Sequence, residues 1–285
     1  KVTKAMEAVS AVKMRKTQQA AIADRAYARA AASILARLSG SGSVANHPLA
    51  KAREVKKSAL VIITSDKGLA GALNSSVIKA AAEALSGKSK DGVVVYTYGR
   101  KGDDYFRRRG YDIRKSMENK SDDVPISLMA ELSRELSDGF VKGEYDEVLA
   151  VYSNFRSTFE QKPVLRRLLP LSTDTIAEVI ADIVPAKGKF SEERPVESPA
   201  AYTVEPSAEE VLGVIVPRLV AVALYHMLLE AKASEHSARM VAMKNASDKS
   251  EEVAHDLTRL FNKKRQAQIT REVSEIVGGR EALAA

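Results

Sequence analysis

Arg218–Val277 reads RLVAVALYHMLLEAKASEHSARMVAMKNASDKSEEVAHDLTRLFNKKRQAQITREVSEIV and contains neither proline nor glycine. About sixty residues without a breaker make a helix about 90 Å long at 1.5 Å per residue. A compact chain of 285 residues is only about 50 Å across, so such a helix must project from the globule. Pro206 and Ser207 supply its start, with Glu209 and Glu210 favourably placed in its first turn. Pro217 is a candidate kink and Gly278 a candidate end. A lone projecting helix leaves its apolar stripe in water and needs a partner.

The other end of the chain offers one. Lys1–Ser39 contains no Pro and no Gly, and Gly40-Ser41-Gly42-Ser43 closes it. Its apolar residues Val2, Met6 and Val9, then Ala20, Ala23, Tyr27, Ala30, Ile34 and Leu38, recur at helical steps. Many are Ala, which lets a second helix come close. The two ends are therefore expected to form one antiparallel coil. The chain opens at Lys1 within the helical pattern, so further N-terminal turns are expected before it.

The middle alternates strand and helix. Ala59–Thr64, Val93–Tyr98, Tyr111–Lys115, Glu147–Ser153 and Gln161–Leu169 read as strands. Helices are expected over 74–85 and 103–109, and from Pro125 to Lys142 with Asp123 as cap. That order gives a mostly parallel, Rossmann-like sheet of about five strands covered by helices. Pro185–Pro199, rich in charge, Pro and Ser, reads as a loop. The fold class is α/β: a long antiparallel coiled coil of terminal helices with an inserted α/β domain. The division is 1–39 and 206–278 for the two helices, 55–185 for the domain and 186–205 for a linker.

Composition narrows the chemistry. The chain has no Cys and no Trp, so disulfides, thiolate metal sites and Cys nucleophiles are excluded. Four His leave few ligands for a His-based metal site. The net charge of +7 favours acidic partners, and much of the excess lies in Lys1–Ser39, where only Glu7 and Asp24 oppose eight basic residues. The most apolar run, Val211–Leu229, is interrupted by Gly213, Pro217, Arg218 and His226, so no transmembrane span is expected. No signal peptide is visible.

No motif assembles a nucleophile, a base and an oxyanion site. Ser65–Gly71 follows a strand and precedes a helix, where α/β folds bind phosphates, but it matches neither the dinucleotide fingerprint nor the P-loop. Gly87-Lys88-Ser89 mimics the end of a P-loop, yet Ala82 stands where the first glycine is required. Both read as structural turns. His226 and His236 are too far apart on one helix to share a metal, and Glu235 and His236 diverge around it.

Near the C-terminus the stripe changes face. Val253, Leu257 and Leu260 step by four and three, as do Ile269, Val273 and Ile276, but Leu260 and Ile269 lie on opposite sides. Either the coil shifts register or another protein encloses this end. Lys263-Lys264-Arg265 falls between the two stripes, as a solvated face or a contact for an acidic partner.

Specific strings then point to a family. Lys4-Ala5-Met6-Glu7, Lys13-Met14-Arg15-Lys16 and Thr64–Asn74 (TSDKGLAGALN) resemble the gamma subunits of F-type ATP synthases, with Ala70 and Ala72 where Cys and Gly are common. Gly99–Gly102 and Tyr152–Phe155 match more loosely. Ala233–Ala246 (ASEHSARMVAMKNA), Phe261–Thr270 (FNKKRQAQIT) and Glu275–Gly279 are similar to the family's C-terminal signature.

This resemblance implies a central-stalk rotor subunit without catalytic residues, cofactor or metal. Its terminal helices would form the shaft, and its α/β domain a foot. Implied partners are the alpha and beta subunits of the catalytic ring, the epsilon subunit and the membrane c-ring, with no nucleic acid and no direct membrane insertion. Met6, Arg239, Arg265, Gln266 and Thr270 would engage the ring, and Tyr202 and Glu205 would face the c-ring and epsilon. The ring presents acidic loops, which fits the basic belt, and the complex would sit at the cytoplasmic face of the cell membrane. Two other readings of the residues are a nucleic-acid-binding coiled-coil protein and a nucleotide-dependent α/β enzyme. Scarce aromatics count against the first.

Overall fold

The protein is described by a computed structural model covering residues 1–39, 47–123, 125–172, 175 and 207–284. Its elements are α1 (Val2–Ser39), β1 (Ser58–Ile63), α2 (Leu73–Ala84), β2 (Val93–Tyr98), α3 (Arg100–Arg108), β3 (Asp112–Met117), α4 (Ile126–Lys142), β4 (Glu147–Phe155), β5 (Gln161–Leu169) and α5 (Ala208–Ala284). The expected linker, with Tyr202 and Glu205, lies outside the described residues.

The five strands form one sheet in the order β3-β2-β1-β4-β5. β1 pairs in parallel with β2 and β4, β2 pairs in parallel with β3, and β5 runs antiparallel along β4. Every residue of β1 and β2 is buried, as expected of central strands covered on both faces. Alternation then sorts their side chains. Leu60, Ile62, Val93 and Val95 meet Val77 and Ala81 of α2, Leu85 that caps it and Phe106 of α3. Ala59, Val61, Ile63, Val94 and Tyr96 meet Met129, Leu132, Leu136 and Phe140 of α4 and the first turns of α5.

α5 is a single 77-residue helix. Ser207 opens it, its Oγ accepting the Glu210 amide proton at 3.2 Å. The helix runs through Pro217, whose carbonyl accepts the Ser133 hydroxyl at 3.0 Å. It also runs through Gly278 and Gly279, beyond the expected end. Glycine weakens a helix by about 1 kcal/mol without forbidding it, and neither residue takes the left-handed conformation that ends one.

By length and composition α5 is apolar enough to cross a membrane, contrary to the reading of its interruptions, but 61% of the relevant window is buried within the protein. Leu212, Val216, Leu219, Val220, Leu224, Met227 and Leu228 belong to the sheet's core. Its apolarity is therefore that of a core helix.

α1 lies antiparallel against α5. Lys4 pairs with Glu251 at 2.5 Å, while Lys13, further along α1, lies at the level of His236 because both reach Asp122. The buried seam differs from the expected stripe. Ser10, Met14 and Thr17 are buried, with Met243 and Ser247 of α5, while Val2 and Val9 are exposed. Small polar residues form this seam because the Ser10 and Thr17 side chains let the helices close up, and Thr17 returns its hydroxyl proton to the Met14 carbonyl at 2.9 Å. The side chains of 21–39, which carry the rest of the expected stripe, lie outside the described residues.

Two local expectations also change. Pro125 occupies the cap position of α4 with no side-chain cap, and Asp123 instead pairs with Lys16 at 2.8 Å. α3 begins at Arg100 rather than near Asp103, because a carboxylate from another loop satisfies its first amide.

Candidate functional site

The loop after β1 reaches across to the start of α3. Asp66 Oδ1 accepts the amide proton of Arg100 at 2.8 Å, so a carboxylate caps α3. Its Oδ2 accepts the Asn119 amide proton at 3.0 Å. Thr64 Oγ1 accepts the Gly102 amide proton at 2.9 Å. Asn74 Oδ1, from α2, accepts the Ser65 amide proton at 3.0 Å. An anion at the start of α3 would therefore meet the charge of Asp66, while the start of α2, the helix that follows the loop, has no side-chain cap.

Lys88, of the P-loop-like string, is likewise internal. Its ammonium donates to Ser58 Oγ at 2.7 Å and to the buried Glu147 carboxylate. A buried carboxylate needs such a partner.

From this loop the chemistry passes to the helices. Asn119, after β3, donates its side-chain amide to the Thr64 carbonyl at 2.7 Å. Lys232 of α5, 2% exposed, donates to Asn119 Oδ1 and to the Ser121 carbonyl. One turn later His236 Nε2 lies 2.8 Å from Asp122 Oδ1. Lys13 of α1 reaches Asp122 Oδ2 at 2.7 Å. Arg239, 8% exposed, donates to Glu235 Oε1 at 2.6 Å.

A cavity of about 480 Å³ opens beside this network, lined by Met6, Val9, Lys13, Leu69, His236 and Arg239 among others. The exposed Val2 and Val9 of α1 face it.

Burial shifts the titration of these groups. It pushes the Lys232 ammonium down, against the pull of Glu235, Asp122 and Asp66. It pushes His236 down as well, opposed by Glu235 and Asp122. Burial works against the Asp122 charge too, but hydrogen bonds from Lys13 and His236 outweigh it and hold the carboxyl below the usual range.

Past the Lys4–Glu251 pair α5 continues alone among the described residues. Every residue from 248 to 280 is exposed, about 50 Å of helix. Val253, Leu257 and Leu260 and, on the other side, Ile269, Val273 and Ile276 are between 46% and 72% exposed. Arg271 pairs with Glu275 at 3.1 Å along the helix surface.

The expected site residues thus fall in two places. Met6 and Arg239 lie at the joint. Arg265, Gln266 and Thr270 lie exposed on the free helix, with the Thr270 hydroxyl returned to the Gln266 carbonyl at 2.9 Å. Asp122, Asn119 and Lys232 were not singled out from sequence. Lys232 carried one signal, a charge inside the small, apolar run Ala231-Lys232-Ala233.

The chain matches the ATP synthase family over residues 1–283. It is 41% identical over 282 residues to the ATP synthase gamma chain of Pelotomaculum thermopropionicum, covering 99% of this chain and 93% of that one. To the gamma chain of Moorella thermoacetica it is 39% identical with the same coverage. Among solved structures it resembles the central stalk and c-ring assembly of Tetrahymena thermophila mitochondrial ATP synthase, with TM-score 0.61 and 26% identity over 87% of this chain and 100% of that one. A chain of the Euglena gracilis mitochondrial enzyme shares the fold, with TM-score 0.58 and 17% identity over 98% of this chain and 95% of that one. The sequence and the sheet-with-long-helices architecture agree: this chain belongs to the ATP synthase gamma-chain family.

Proposed function

We propose that this chain is the central-stalk rotor subunit of an F-type ATP synthase, coupling ion flow through a membrane c-ring to ATP synthesis and hydrolysis on neighbouring subunits. The observation that carries this reading is the free end of α5. About 50 Å of helix exposes large apolar residues on two opposite faces, and one partner helix cannot cover both. A surrounding sleeve can, and alternating alpha and beta subunits supply one.

In this reading α1 and α5 form the shaft and the sheet with its helices the foot. The c-ring turns the foot and the shaft turns with it. The shaft is not round, so each catalytic subunit meets a different face in turn, and those differential contacts bias its nucleotide affinity. Met6 and Arg239 at the joint, and Arg265, Gln266 and Thr270 on the free helix, carry contacts to the ring. Tyr202 and Glu205 face the c-ring and epsilon. The chain holds no catalytic group and binds no cofactor, and the complex works at the cytoplasmic face of the membrane. The net charge of +7 suits acidic loops of the ring.

The test is reconstitution with alpha and beta subunits and a bead on the foot. The bead is expected to rotate in one sense during ATP hydrolysis. A bead that stays still while ATP turns over overturns the reading.

A further inference from the structure

The loop from Glu118 to Asp123 leaves the C-terminal end of β3 and reaches both helices of the coil. Among the described residues, the ion pairs that tie α1 to the sheet domain are Lys13–Asp122 and Lys16–Asp123. They are not equivalent. Asp123 and Lys16 are 79% and 61% exposed at their side chains, so water screens that pair. Asp122 is 20% exposed and splits its oxygens, Oδ2 to Lys13 of α1 and Oδ1 to His236 of α5. One carboxylate therefore spans the seam between the two helices.

The loop that presents this carboxylate is itself held. Asn119 is fixed beyond the C-terminal end of β1, to Thr64 and to Asp66. Lys232 grips Asn119 and the Ser121 carbonyl from α5. Lys232 and His236 are four residues apart and so share one face of α5. The loop thus meets α5 at two levels, one turn apart, and meets α1 at a third point. A single contact leaves a helix free to roll about it, but three points on two helices fix an orientation. Lys232 and His236 are both buried and give up hydration for these contacts, so loosening the loop would strand them.

We infer that Asp122 is a positioning residue that sets the angle of the helical pair relative to the sheet, and that through it α1 shares the torque passed from foot to shaft. The inference rests on the rotor reading above. α5 is anchored by its own apolar face on the sheet, so without Asp122 torque would still pass, but through one helix. The joint would become softer rather than break.

Torsional stiffness reads this directly. The full chain is assembled with the alpha and beta subunits, the ring is stalled with a non-hydrolysable nucleotide, and the angular fluctuation of a bead on the foot is recorded. Asp122→Ala is expected to widen the angular variance about twofold, and Asp122→Glu, which can still reach both helices, to restore most of the stiffness. Lys13→Met removes only the α1 arm, from a side chain 43% exposed, and is expected to widen the variance as well. It serves as the variant of choice should Asp122→Ala fail to assemble. A merely structural Asp122 would change the melting of the isolated chain and leave the stalled variance alone. Equal variance in wild type and Lys13→Met, with the wild-type bead rotating under ATP, overturns the inference and leaves the rotor reading standing. A wild-type bead that never rotates overturns both.

Discussion

Gly99 has φ of +102°, and a methyl group there would meet the Thr64 carbonyl oxygen at 2.1 Å. Only glycine lets β2 turn into α3 this close to the end of β1, and that approach places Thr64 and Asp66 to cap α3. Gly99→Ala is expected to cost about 3 kcal/mol, combining backbone strain with a backbone clash. Gly68→Ala, with nothing within 4 Å and no left-handed φ, is expected to stay within about 0.5 kcal/mol. Urea denaturation of the two variants separates these outcomes. The joint also makes stability depend on pH. Burial pushes His236 at the joint, and His47 in the segment before β1, below the ordinary value of 6.5. The unfolded chain therefore takes up protons that the folded chain refuses as pH falls below about 6.5, and stability falls with it. Above that pH the contribution is complete. The urea midpoint is expected to drop between pH 7.5 and 5.5, with a smaller drop in His236→Gln, where the His47 contribution remains. An equal drop in both would show that His236 is not desolvated. Little of this was visible in sequence. Asp66 reads as one residue of a loop, and its task depends on Arg100 and Asn119 arriving from elsewhere in the chain.

At the scale of elements, legibility followed the range of the forces. β2 and β5 fall where their sequence pattern puts them, because Val93–Tyr98 and Gln161–Leu169 carry their own strand propensity. α3 was expected three residues late because its cap comes through space. The first turns of the α1 stripe, with Val2 and Val9, were misread because the seam there uses Ser10 and Thr17, which hydropathy does not mark as buried. The change of face at the end of α5 was legible, since it needs only the helical repeat, and all six of its apolar residues are exposed in the structure. A helix that touches nothing adds nothing to the stability of the rest. Ending the chain after Ala254 is therefore expected to leave the urea midpoint of the isolated protein within about 0.5 kcal/mol of wild type, while circular dichroism loses the signal of the removed turns. A clear fall in the midpoint would mean that these turns pack against the chain in solution.

The whole molecule separates stability from coupling along its length. Among the described residues the foot and joint hold the buried side chains, and the free helix from 248 to 280 holds none. A substitution near the tip should therefore register in the assembled machine and not in the fold. Arg265 and Gln266 are exposed, and Gln266 offers its carbonyl to Thr270 through the backbone, which a side-chain change preserves. The double variant Arg265→Ala, Gln266→Leu keeps good helix formers at both positions, so the isolated chain is expected to unfold within about 0.5 kcal/mol of wild type. In the complex it removes a guanidinium and an amide from the surface proposed to meet the ring. One charge-assisted hydrogen bond is worth about 1.5–3 kcal/mol, so losing it from the contacts that distinguish one ring state from another should lower ATP synthesis at least about tenfold. The check is synthesis driven by an ion gradient in vesicles, with the urea midpoint of the same preparation as control. Synthesis at the wild-type rate would remove Arg265 and Gln266 from the coupling surface. A fall in both measurements would place them instead in the stability of the chain, against their exposure in the structure.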